Sequence, residues 1–234
     1  MIIEILYYDA SMLFGDRGNV MLLQRTLPDA TFIFTQYPQK PYFAKEAVDM
    51  VIMGSMSESW QKRIIELLTP YQRRIIDLIN DDVVFLITGN ALDLFGKTIE
   101  YLPNEKIKAL DIFDFTTKVD LNNRLNSKIL GTFKDIIMVG FKTQFSQSFG
   151  NNQDNALMSI NKGFGFNSES HDDGIHVKNF YGTHCIGPLL VLNPLFTLHI
   201  LQKMTSKKIT IPLFDEMLLA YQMRIREFND PKKH

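Results

Sequence analysis

The stretch whose reading decides the fold is Val83–Gly96, VVFLITGNALDLFG. Its apolar and β-branched run reaches a corner at Thr88-Gly89-Asn90, after which the spacing becomes that of a short helix. A buried strand, a tight corner and a helix form the repeating unit of parallel α/β sheets. In many α/β enzymes that corner presents the nucleophile. Here the corner residue is Thr88. A threonine hydroxyl is a weak nucleophile without an adjacent base, and a β-branched residue tolerates strained backbone angles badly. Capping is the plainer role. Asn90 is placed to cap the next helix, and Asp93, three residues on, to reach back as in a capping box.

Outward from this corner, Ile2–Tyr7, Thr31–Thr35, Met50–Met53 and Val83–Ile87 read as strands. Val20–Leu27 and Ser59–Ile79 read as helices, the second interrupted near Pro70. Helical segments between apolar strands predict a parallel sheet covered on both faces. Beyond Thr98 the pattern changes. Ile107–Val119, Lys128–Phe133, Ile136–Phe141 and Ile175–Phe180 follow one another closely, as in a mixed or antiparallel extension. Asn193 and Pro194 open a helix through about Met204, and a last amphipathic helix spans roughly Phe214–Phe228. Thr143–Ala156 and Asn167–Asp173 read as polar surface loops, with no linker dividing two domains.

Composition narrows the function. Lys and Arg number 25 against 26 Asp and Glu, so no net field favours nucleic acid or a membrane surface. The single cysteine, Cys185, leaves no internal disulfide and no cysteine-rich zinc site, as in a reducing cytoplasm. No apolar run is long enough to span a bilayer, and MIIEILYY at the start reads as a first strand rather than a signal peptide.

Five segments together carry a resemblance. They are LFGDRGNVMLL (Leu13–Leu23), VIMGSMSES (Val51–Ser59), ITGNALDLFGK (Ile87–Lys97), NNRL (Asn122–Leu125) and GFGFNSESHDDGIHVKNFYGTHCIGPLL (Gly163–Leu190). In that order they resemble the GatD family, the glutaminase subunits of lipid II isoglutaminyl synthase. These are class I glutamine amidotransferase-like proteins of the cobyric-acid-synthase type. The resemblance implies a Rossmann/flavodoxin-like three-layer α/β/α fold, with a mainly parallel sheet extended by antiparallel strands, in one domain over residues 1–234. It also implies a cysteine–histidine glutaminase that supplies ammonia to a Mur-ligase-like partner, MurT, in peptidoglycan amidation. No cofactor is implied.

The implied catalytic positions do not hold the implied residues. The family's Cys-Gly-Gly corner falls on Thr88-Gly89-Asn90, which is one residue longer before Gly96. Its histidine falls on Ile186 in Gly182-Thr183-His184-Cys185-Ile186-Gly187-Pro188. The glycine-rich oxyanion loop is matched by Gly54-Ser55-Met56-Ser57, which keeps only the first glycine, and Gly-Phe-Glu-Asn-His becomes Gly140-Phe141-Lys142-Thr143-Gln144. Arg124 matches an arginine placed to hold glutamine. With Gly54, Ser55, Gly89 and Asn90 it forms the implied ligand-binding set. The expectation is therefore a degenerate amidotransferase that binds or scaffolds within an amidating complex of cell-wall metabolism. One alternative is a relocated glutaminase or amidohydrolase site using His184 with Thr88 or Cys185. Another is a glutamine or glutamate sensor. If Ile186 faces the pocket, His184 shares that face and Cys185 points to the core.

Two smaller clusters have bland readings. His171, Asp172, Asp173 and His176 match no strong metal spacing and read as a solvated loop leading into a strand. Asp16 or Asn19 reads as the cap of the helix that follows, with Arg17 paired locally.

Overall fold

The computed structural model describes residues 1–150 and 152–230. In chain order its main elements are β1 (Ile2–Ile5), α1 (Arg17–Thr26), β2 (Thr31–Phe34), β3 (Met50–Met53), α2 (Glu58–Leu68), α3 (Gln72–Asn80) and β4 (Val84–Thr88). Then come β5 (Thr98–Tyr101), β6 (Glu105–Lys108), β7 (Phe115–Val119), β8 (Leu125–Phe133), β9 (Ile136–Gln144), β10 (Ser146–Gly150) and β11 (Met158–Lys162). The chain ends in β12 (Asp172–Asp173), β13 (Ile175–Val177), β14 (Phe180–Thr183), α4 (Leu189–Leu192), α5 (Pro194–Met204) and α6 (Phe214–Asn229).

The central sheet runs β13-β14-β4-β3-β1-β2, parallel throughout except for the edge strand β13. Period-2 alternation sorts its side chains into two cores. Val51, Met53, Phe85 and Ile87 pack against Ile64 and Leu68 of α2 and Ile75 and Leu78 of α3. Ile3, Ile5, Ile52 and Leu86 pack against Val20 and Leu23 of α1 and Phe196 and Ile200 of α5. Each fully buried aliphatic side chain contributes about 1.5–3 kcal/mol, which is why these strands lack the polar face of a solvated sheet. Two smaller sheets extend the fold: β10-β7-β5-β6, with one parallel pair, and the antiparallel β12-β11-β8-β9.

The first half follows the sequence pattern closely, including the break at Pro70, which becomes a 3-10 turn between α2 and α3. The second half departs from it. Ile107–Val119 is two strands in one sheet, separated by a connection that hydrogen-bonds back to the Leu94–Lys97 backbone. Thr143–Ala156 is not a surface loop. Ser146–Gly150 pairs antiparallel with Phe115–Val119, and Ser146, Ser148 and Asn152 are buried. Ile175–Phe180 turns at Lys178, whose φ is +53°, so it forms the β13–β14 hairpin and not one strand. The strands β5, β6 and β11 carry too many polar residues to stand out in the sequence.

The expected caps are also absent. Asn90, Asp16 and Asn19 make no side-chain capping bond, and the segment after Thr88 is a 3-10 helix, Gly89–Phe95. Their side chains reach instead across the fold.

Candidate functional site

Four chain segments meet at the carboxyl edge of the parallel sheet, where open α/β folds place their ligands. They are the loops after β1, β3 and β14 and the corner after β4. Asp16 joins them. It is buried, its Oδ1 accepts the Thr88 hydroxyl at 2.7 Å and its Oδ2 accepts the Ser55 N–H at 2.8 Å. Burial pushes its carboxyl up, and the Thr88 and Ser55 hydrogen bonds oppose that rise. Gly54 makes this contact sterically feasible, because a Cβ there would lie 2.6 Å from Asp16 Cγ. Asn90 adds a two-point clamp: its Oδ1 accepts the Met56 N–H at 2.9 Å and its Nδ2 donates to the Met56 carbonyl at 2.8 Å.

The backbone at the corner has a definite apex. Thr88 is extended, at φ −120° and ψ 151°, whereas Gly89 is left-handed at φ +60°. The strained position is thus one residue beyond Thr88. A Cβ on Gly89 would stand 2.0 Å from Ser55 Oγ and 2.9 Å from Ser55 Cβ. The hydroxyl of Ser55 therefore fills the space that a side chain at the apex would take.

Beside the corner lies a cavity of about 210 Å³. Ser55, Gly89, Asn90 and Arg124 border it, as do Gln144, His184 and Ile186. Thr88 does not border it, and Cys185 packs in the apolar core with Ile129 and Tyr181. Burial pushes the Cys185 thiol up to about 12, which removes thiolate character at neutral pH. Arg124 lies at the exposed rim with its guanidinium 4.7 Å from the Phe145 ring centre, and it makes no ion pair among the described residues. Ser55 Oγ and Gln144 Oε1 are buried without a hydrogen-bond partner among the described residues.

His184 forms part of the floor, and its surroundings were not visible in the sequence. Its Nε2 donates to Asp93 Oδ1 at 2.9 Å, while Nδ1 stands 3.6 Å from Asp173 Oδ1. Asp173 also accepts from Lys142 Nζ at 2.5 Å and from Thr183 Oγ1 at 2.6 Å. Lys142 donates further to the Phe164 and Gly165 carbonyls, and Gln61 and Thr117 donate to Asp93. All four ionisable groups are fully buried. Burial would lower the His184 imidazolium, but the Asp173 and Asp93 carboxylates outweigh it and raise it above the usual histidine value. Burial would likewise raise Asp173, yet Lys142 and His184 hold it well below the carboxylate range. His184, Lys142, Asp93 and Asp173 thus form one buried hydrogen-bonded group beside the cavity.

Asp93, Lys142 and Asp173 were missed as site residues. Asp173 belongs to no solvated loop, since it is buried against Lys142. His176 turns to the other side of its strand and stacks on Tyr181 at 5.0 Å. Lys142 carried a weak signal: period-2 alternation puts it on the inward face of β9 with Met138 and Gln144. The caps expected of Asp16 and Asn19 gave way to the Thr88 and Ser55 bonds and to a bond from the Leu190 N–H to Asn19 Oδ1. Arg17 stacks over Tyr8 at 5.0 Å.

This arrangement of sheet, corner and flanking loops is the fold of class I glutamine amidotransferases. Among solved structures it is similar to PurLQS from Thermotoga maritima, with a TM-score of 0.57 over 87% of this chain and 96% of that one. A glutamine amidotransferase from the same organism gives 0.52 over 97% and 90%. Sequence identity is 9% in both, so this likeness concerns the fold alone. No protein-family model matches the chain. By sequence it is similar to lipid II isoglutaminyl synthase (glutamine-hydrolyzing) subunit GatD of Streptococcus pneumoniae, 24% identical over 97% of this chain and 90% of that protein. The GatD subunit of Staphylococcus aureus is 25% identical over 86% of this chain and 82% of its own length. Among the described residues no helix is long and apolar enough to cross a membrane.

Proposed function

We propose that this chain is a catalytically degenerate amidotransferase-like subunit that works by binding a partner. The observation that carries the reading is the glycine at the apex. A nucleophile elbow holds its reactive side chain on the strained residue of a strand-to-helix turn. In this chain that residue is Gly89, which has no side chain, and Ser55 occupies the vacated space. Placing the apex at Gly89 also removes the extra residue counted between Thr88 and Gly96. The other candidates do not replace it. Thr88 is spent on Asp16, Cys185 is a buried un-ionised thiol, His184 is held between carboxylates, and Ile186 offers no proton. Covalent attack needs a nucleophile with a base in reach, and neither Thr88 nor Cys185 hydrogen-bonds His184.

The partner is a protein of the amidating, Mur-ligase-like class in the cytoplasm, a reading supported by the whole-chain similarity to proteins named as synthase subunits. The test is glutamate release from glutamine by the tagged protein, recovered with whatever co-purifies from its own cells. No release above Thr88→Ala, His184→Ala and Cys185→Ala preparations is expected, together with a stoichiometric partner. Release abolished by any one of these substitutions overturns the reading.

A second reading rests on the cavity: among the described residues Ser55 Oγ and Gln144 Oε1 have no hydrogen-bond partner and Arg124, at its mouth, makes no ion pair. That set suits glutamine or glutamate held without turnover. Calorimetry would detect saturable binding weakened by Arg124→Ala; no heat with either amino acid removes this reading.

A further inference from the structure

Helix α6 carries apolar residues on two opposite faces, and among the described residues only one face is covered. Taking 100° per residue, Phe214, Met217, Leu218, Tyr221, Ile225 and Phe228 fall within about 100° and form the inner face. Tyr221 and Phe228 pack there on Leu130 and Val139, and the Tyr221 hydroxyl donates to the Ile137 carbonyl at 2.6 Å. On the opposite side Glu216, Leu219, Met223 and Arg226 fall within about 80° of one another. Leu219 is 60% exposed and Met223 55%, among the most exposed large apolar side chains in the chain. Glu216 and Arg226 make no ion pair among the described residues.

We infer that this outer face is where a second copy of the chain docks, by antiparallel pairing of α6 with α6. The exposed pattern is symmetric along the helix. A two-fold axis crossing the helix at the level of Tyr221 sets residues on one copy against residues whose numbers mirror them about that point. Leu219 then meets Met223, and Glu216 meets Arg226. Every contact occurs twice, as an isologous interface requires. Apolar residues meet apolar ones, and opposite charges meet at both ends. A parallel pairing in register would instead oppose Glu216 to Glu216 and Arg226 to Arg226. The contact is one helix face, below the size of a standard stable interface, so the dimer forms in a concentration-dependent way.

The test is sedimentation equilibrium of the full chain from about 5 to 500 µM, a range suited to small interfaces. The expected result is reversible dimerisation, weakened at least tenfold by Leu219→Glu and by Met223→Glu. Glu216→Arg alone weakens it as well. Adding Arg226→Glu to that variant restores it, because both pairs are then reversed together, and this rescue also shows that the variants fold. A monomer at every concentration overturns the inference. So does a dimer indifferent to these substitutions, or a face whose substitution affects only capture of a different protein.

Discussion

Gly89→Ala is the most direct test of how the corner is built. An L-residue held left-handed costs about 1–2 kcal/mol, and Gly89 is held at φ +60°. The added Cβ also meets Ser55 Oγ at 2.0 Å and Ser55 Cβ at 2.9 Å. Overpacking of a tight site costs about 1–3 kcal/mol more. The two sum to about 2–5 kcal/mol, or a fall in Tm of roughly 4–20 °C for a chain of this size. Ser55→Gly removes both clashing atoms and leaves Ser55 Cα at 3.4 Å, an ordinary contact. In the Gly89→Ala background it should therefore recover the overpacking part, about 1–3 kcal/mol, and leave the backbone strain. Urea unfolding of the wild type, both single variants and the double variant measures this coupling. A Gly89→Ala cost under about 0.5 kcal/mol, or a coupling below that size, would refute the reasoning. The apex would then not be left-handed, or Ser55 would not fill it, and the corner could still carry a reactive side chain.

Three further outcomes follow from the same geometry. Thr88→Val keeps the shape and removes the bond to the buried Asp16 carboxylate, which should cost about 1.5–3 kcal/mol in urea unfolding and leave any glutamate release unchanged. His184→Gln should cost about 3–5 kcal/mol, because it leaves two buried carboxylates short of a cation. Because the folded imidazolium is raised, that stabilisation is full below the unfolded value of about 6.5 and is lost as pH rises through the folded value. The wild-type advantage over His184→Gln should therefore be largest near pH 5–6 and shrink in alkali; a constant gap would count against a charged His184 in the buried group. Cys185, buried and pushed up to about 12, should react with iodoacetamide only as fast as the protein unfolds, and rapid labelling of the native protein would contradict its placement.

Much of the fold was legible because it is local. The continuous apolar runs of Met50–Met53 and Val84–Thr88, the helical spacing of Glu58–Asn80 and the Pro70 break are all local signals, and together they give the parallel α/β class. The candidate site was legible only as positions. The Val83–Gly96 stretch announces a corner, and His184 and Ile186 both border the cavity as their two-residue spacing suggests, although the strand itself ends at Thr183.

Tertiary structure decided the rest, since the deciding contacts lie far apart in the chain. Local chemistry favours capping for Asn90, Asp93 and Asp16, because nearby backbone N–H groups are within their reach. Each was drawn instead to a buried partner: Met56, His184 and Thr88, at separations of 34, 91 and 72 residues. Ser146–Gly150 looks like a loop until β7 supplies its ladder partners. A buried polar group must be satisfied wherever a partner stands, and that constraint acts through space rather than along the chain. The sequence by itself determined which side chains are present, and hence that no cysteine stands at the corner. Only the folded chain decided that the left-handed residue there is Gly89, because backbone angles at a corner are set by what packs against both of its sides.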